Sequence, residues 1–231
     1  MITGVTVDQV WSGPPVGAIE FKASGDRQQR KLTVSRLLQS APCIGAHLPS
    51  YLPASLITEE RRLTGDDEQL LDHFTVHVTR HTPFEDWRRY SEGSKCRVLY
   101  ENHNQDWHPT DAGWCWPQEF APLMDAGGEI CLDIGHILYA SRFHARSENE
   151  WVDIASQAFD GFLDLSIAAC HLHTMEHFQG DDHQLDGFDI LPWVRRVIDK
   201  HPNVILLVET GHARYSDADR LAALERWTER K

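Results

Sequence analysis

Residues 167–189, IAACHLHTMEHFQGDDHQLDGFD, hold the chain's densest set of side chains able to do chemistry. An apolar run ends in His171 and His173, and a polar loop follows with Asp181 and His183. Imidazoles and carboxylates gathered at the end of a strand suit a borderline divalent metal. Asp-x-His in a loop can turn both side chains onto one ion. A solvated, histidine-rich loop would look the same in isolation. Three other segments favour the metal: VLYENH closes its apolar run at Glu101, ICLDIGH at Asp133 and His136, and VILLVET at Glu209. His77 and His47 lie near the ends of two more.

The elements that must position these groups are short apolar strands alternating with helical stretches. Strands are expected at 2–7, 18–22, 43–48, 74–79, 97–100, 129–132, 167–172 and 204–208. Helices are expected at 28–39, 58–72, from 83 to 90, 150–163, 190–200 and 217–230, and 102–116 reads as a long functional loop. Repeated βα units imply a parallel sheet. Eight of them predict a single α/β domain over 1–231, a compact (β/α)8 TIM barrel near the lower end of that fold's size range. The first crossover, from Val7 to Ala18, carries Ser12-Gly13-Pro14-Pro15 and leaves no room for a helix, so the first βα unit is shortened.

In such a barrel all strands open their C-terminal ends onto one face, where active sites are built. Glu101, Asp133, His136, His171 and Glu209 would meet there, with His77 and His47 nearby. So many acids and histidines in one place repel one another without cations, and metals are the simplest resolution. Each residue also has a plainer reading. Glu101 and Glu209 could be solvated loop carboxylates, and Asp133 could cap a helix. His171 is taken as the ligand. His173 is read as facing differently, and as a substrate contact. His47 and Trp107 are further substrate-contact candidates, Trp107 sharing its loop with Trp114 and Trp116. His103 is left as a surface or substrate-loop residue.

The chain has 231 residues and a formal net charge of -13. That balance disfavours a broad basic face for nucleic acid or an anionic membrane. It still permits a phosphate substrate, because bound metals reverse the local sign. None of the five cysteines forms a C-x-x-C pair, and four lie in or beside apolar runs. They read as buried small residues of a reducing compartment. With no signal-like N-terminus and no apolar run of spanning length, the expected location is the cytoplasm.

From Ala18 to Glu209 the chain resembles the xylose-isomerase-like TIM-barrel superfamily of sugar isomerases, epimerases and type IV AP endonucleases. The resemblance is carried by YENH, LDIGH, CHLH, DDH and LLVET, in that order. It implies a central metal held by Glu101, Asp133, His171 and Glu209. It also implies a second ion, held by His136, Asp181 and His183, and His77 resembles a ligand of a third that Glu101 would bridge. The implied cofactors are two or three divalent ions per chain, zinc, manganese or iron. Three features depart from the pattern. The loop after the third strand offers only His47, Thr174 stands where an acid is usual, and Gly187 alone remains of the glycines after Asp-x-His.

Two activities follow from the resemblance. The first is multinuclear phosphoester hydrolysis of a small or single-stranded phosphorylated substrate, with Glu101 and Glu209 in the catalytic roles. Duplex DNA is a poor fit, because the chain shows no basic runs to grip its backbone. The second is isomerisation or epimerisation of a sugar or sugar phosphate, in which Glu101 and Glu209 exchange a proton at carbon. A barrel that only binds a metal or a partner ranks last.

Overall fold

A computed structural model describes residues 1–7, 11–22, 33–47, 71–80, 82–94, 96–104, 113–180, 183–210 and 214–229. Eight parallel strands close into a barrel in sequence order. They are β1 (Ile2–Val7), β2 (Ala18–Lys22), β3 (Cys43–His47), β4 (His73–His77), β5 (Arg97–Glu101), β6 (Glu129–Asp133), β7 (Ile167–Leu172) and β8 (Ile205–Val208). Closure comes from β1, which pairs with β2 on one side (Val5 beside Ile19) and with β8 on the other (Val5 beside Val208).

The strands form because both of their faces are apolar or tightly filled, as a parallel sheet requires. Successive side chains point to opposite faces. On the outer face stand Ile19 and Phe21, Ile44 and Ala46, Phe74 and Val76, Ile130 and Leu132, and Leu206 and Val208, all in the main core. The inner face is filled low in the barrel by smaller groups, Ala18, Cys43, Leu99, Cys131, Ala169, Ile205 and Leu207, in a separate cluster. This two-cluster core makes the barrel interior a packed plug on which polar residues of the upper layers rest.

The helices cover the outside: α1 (Phe84–Gly93), α2 (Ala121–Asp125), α3 (Ile134–Arg142), α4 (Glu148–Leu163), α5 (Leu191–Lys200) and α6 (Asp217–Thr228). Residues 33–37 are also helical. Stacking of Phe159 from α4 on Trp193 from α5, with centroids 4.6 Å apart, is one of the contacts that joins neighbouring helices over the sheet. Ser216 caps α6 in a reciprocal box with Asp219.

Most expected elements fall within a residue or two of the observed ones. The expected helix at 58–72 lies almost wholly outside the described residues, as do positions 28–32 of another. No helix occupies 11–17, where Trp11 Nε1 instead donates to Pro14 O (2.8 Å), so the shortened first unit holds among the described residues. The expected loop 102–116 is followed by a 3-10 turn (Pro117–Phe120) and α2, neither of which was anticipated, and α3 follows β6 with no loop between. No described helix is long and apolar enough to cross a membrane.

Candidate metal centre

The alternation that builds the core also builds the site. Counting in twos along each strand from the inner plug leads to Glu20 and Lys22 on β2, His47 on β3, and Thr75 and His77 on β4. It leads likewise to Glu101 at the end of β5, Asp133 at the end of β6, His171 and then His173 on β7, and Glu209 after β8. Strand register sets the neighbours: Lys22 lies beside His47, His77 beside Glu101, and Asp133 beside His171. A register shift between Ile130 and Cys131 brings Asp133 level with His171.

His171, with no exposed surface, stands at the centre. Its Nδ1 lies 2.8 Å from both Glu101 Oε1 and Glu209 Oε2, and 3.7 Å from Asp133 Oδ2. Its Nε2 lies 2.9 Å from Glu20 Oε1. His47 Nε2 is 2.8 Å from Glu101 Oε2, and Lys22 Nζ is 3.0 Å from Glu209 Oε1. Ligand atoms of His47, Glu101, His171 and Glu209 all fall within 4.8 Å of one another.

Two more groups adjoin this one under the same distance criterion: His77, Glu101 and His136, and His136, His173 and His183. His136 enters through the first turn of α3. Asp133 caps that helix, its Oδ1 accepting from His136 N–H (2.6 Å), and His136 Nδ1 lies 2.8 Å from Asn102 O. Asn102 clamps the neighbouring strand by donating to Asp133 O and accepting from Asp133 N–H (2.9 and 2.7 Å). Asp133 therefore has the helix-cap role, and although it was expected to hold the central metal it belongs to none of the three groups, its Oδ2 standing 3.7 Å from His171 Nδ1. His183 has φ 57°, a left-handed conformation rare for a residue with a side chain. In that conformation its N–H donates to His173 Nδ1 (3.0 Å) and its ring stacks on His173 at 4.2 Å.

The sequence reading of His173 needs correcting. Residues two apart along a strand share a face, so His171 and His173 both point into the mouth. His173 Nε2 lies 2.9 Å from Asp133, and the ring belongs to a metal-capable group. His47, expected as a substrate contact, likewise offers a ligand atom to the central group. His103 is buried, not a surface residue, with its ring 5.1 Å from that of His77. Asp181 and Trp107 lie outside the described residues. Trp114 packs edge-on against Phe120 and Trp116 edge-on against His144. Glu20, His73, Thr75 and Lys22 were not anticipated. The signal was available in the inward period-two series of β2 and β4, which strand-end reading ignores.

The charges at the site are strongly coupled. Burial alone would raise Glu101, but His77, His47 and His171 hold it well below the usual carboxylate range. Burial opposes ionisation of Glu209 too, and Lys22 and His171 overcome it. Burial disfavours charge on His171, yet the surrounding carboxylates, Glu20, Glu101 and Glu209 among them, lift it well above an ordinary imidazole. His47 is pushed up to about 8 by Glu101, Glu20 and Glu209 against the effect of its burial. Burial, together with repulsion from His47, His103 and His136, depresses His77 well below its usual value. Glu101 Oε2 and Glu209 Oε2 are buried and accept no well-directed hydrogen bond, although imidazole nitrogens lie 2.8 Å away. Buried lone pairs left over among imidazoles fit a divalent cation. Three of the free thiols do not compete: burial pushes Cys43 up to about 12 and raises Cys131 and Cys170 as well.

No family model matches the chain, and no curated protein does. Solved structures do. An AP endonuclease, family 2, from Brucella melitensis is similar with a TM-score of 0.61 and 12% identity over 99% of this chain and 100% of that one. A xylose isomerase domain protein from Alicyclobacillus acidocaldarius gives 0.54 and 13% over 97% and 96%. An L-ribulose 3-epimerase gives 0.52 and 13% over 97% and 92%. At these identities the likeness is one of fold: the chain, like these structures, is a closed eight-stranded parallel barrel.

Proposed function

We propose that this chain is a divalent-metal-dependent hydrolase of a small or single-stranded phosphorylated substrate, holding two or three ions of zinc, manganese or iron at the barrel mouth. The observation that carries this reading is the overlap of the ligand groups. Glu101 belongs to two of them and His136 to two, so the groups run continuously across the mouth. A phosphoryl group presents several charged oxygens to such a row, whereas isomerisation at carbon needs only the central set. Divalent cations held there would polarise a phosphoryl oxygen and acidify a water. Glu101 and Glu209 would hold that water's proton and orient it. Asp133, clamped by Asn102 and capping α3, would fix His136 and His173 in place. Asp181 belongs with His136 and His183 by the family pattern. Lys22, beside Glu209, adds positive charge to the rim. The net charge of -13 speaks for a small substrate and against a duplex backbone.

A second reading has its own support. Glu101 and Glu209 approach one atom, His171 Nδ1, at the same 2.8 Å. Two carboxylates converging on one point also suit proton exchange on a sugar or sugar phosphate. His183→Ala separates the two. It removes a ligand from the outer group and leaves the central one intact. Assayed on phosphomonoesters, phosphodiesters and sugars, the hydrolase reading expects phosphoester turnover to fall on the order of a hundredfold or more. Full isomerase activity in His183→Ala, with no phosphoester cleavage by the wild type, would replace the first reading with the second.

A further inference from the structure

Glu20 sits in the middle of β2, has no exposed surface, and faces the barrel interior beneath the mouth. A carboxylate so placed is costly unless it is fully hydrogen-bonded. It has three partners. His171 Nε2 lies 2.9 Å from Oε1, His73 Nε2 lies 2.9 Å from Oε2, and Thr75 Oγ1 donates to Oε2 at 2.5 Å. The neighbouring strand makes room for this arrangement. Gly45 lies beside His73 in the register, and a Cβ there would come within 2.2 Å of His73 Nε2. His73 and Thr75 thus anchor one oxygen of Glu20 from β4, and the other oxygen is left for His171.

The consequence lies in the imidazole. A neutral imidazole carries one N–H and one lone pair, and the partner of one nitrogen decides which is which. Glu20 can only accept at Nε2 and keeps the N–H there, so once a cation displaces the second proton the lone pair is on Nδ1, the atom that faces Glu101 and Glu209. We propose that Glu20, held by His73 and Thr75, is a positioning residue that orients His171 and presents its Nδ1 to a divalent cation at the barrel mouth. This rests on the reading of the mouth as a metal centre. Carboxylates behind metal-binding imidazoles typically raise affinity by roughly ten- to a hundredfold.

The test uses the full chain loaded with zinc. A long-range proton–nitrogen correlation spectrum should show His171 protonated at Nε2 and metal-bound at Nδ1. Glu20→Gln keeps the shape and one acceptor but loses the charge. Its zinc affinity, measured by competition with a chelating dye, should fall roughly ten- to a hundredfold. Glu129→Gln, on an exposed carboxylate paired with Arg97, should leave affinity unchanged. Zinc on His171 Nε2, or wild-type affinity in Glu20→Gln, would overturn the inference while leaving the metal centre standing. A wild-type chain that binds no zinc would overturn both.

Discussion

At the scale of single residues, the site is a contest between protons and metal. Without a cation, His171 and His47 are held protonated by the carboxylates around them, His171 well above its usual range and His47 at about 8. A metal must displace those protons. Zinc affinity should therefore rise with pH, by about tenfold per unit for each proton released, up to about pH 8. Above that the slope should lose one proton, because His47 is already neutral. Calorimetric titration in buffers of differing ionisation enthalpy counts the protons directly, and affinity independent of pH between 6.5 and 8 would contradict the assignment. Glu209→Gln belongs to the same scale. It replaces a charged ligand by a weaker neutral one, so turnover should fall roughly ten- to a hundredfold or more while circular dichroism stays native. Wild-type turnover in a folded variant would place Glu209 outside the chemistry.

At the scale of elements, α3 carries the tightest constraint. It begins directly after β6, and a Cβ on Gly135 would lie 1.9 Å from His173 Cε1. Only glycine lets this turn pass the imidazole. Gly135→Ala should cost about 1 to 3 kcal/mol by overpacking, read from chemical denaturation. It should also push His173 off its stack with His183, so the outer group loses its ion before the central one does. Unchanged metal content in the variant would detach His173 from that group. The same helix marks where the sequence was hard to read. LDIGH shows its ligands but hides its helix, since seven of the nine residues of α3 are buried and leave no polar face to mark a period. The eight strands were legible because each is a short apolar run ending in a polar group. Glu20 was not, because within AIEFK it looks like any polar residue of an alternating strand. Only counting in twos from Ala18 on the inner face turns it inward. His173 was misjudged for the complementary reason, since a spacing of two places it on the same face as His171.

At the scale of the whole molecule, the barrel concentrates its cost in one place. Glu20, Glu101, Asp133, His171 and His173 have no exposed surface at all, and Glu209 has almost none. A cluster of buried ionic groups is poor support for a fold unless its charges are matched. Cations that bind only the folded barrel would supply the match, and at a free concentration a hundredfold above their dissociation constant they add about 2.7 kcal/mol. Stripping them with a chelator should then lower the melting temperature by about 5 to 10 °C, as scanning calorimetry would record. No change would mean that the imidazole–carboxylate network is self-sufficient.

The central claim, a multinuclear centre, is tested most directly by counting ions. The full chain should be reconstituted with zinc, freed of excess metal, and measured by elemental mass spectrometry against protein concentration. The overlapping groups around Glu101 and His136 predict at least two ions per chain. One ion or none would contradict the account.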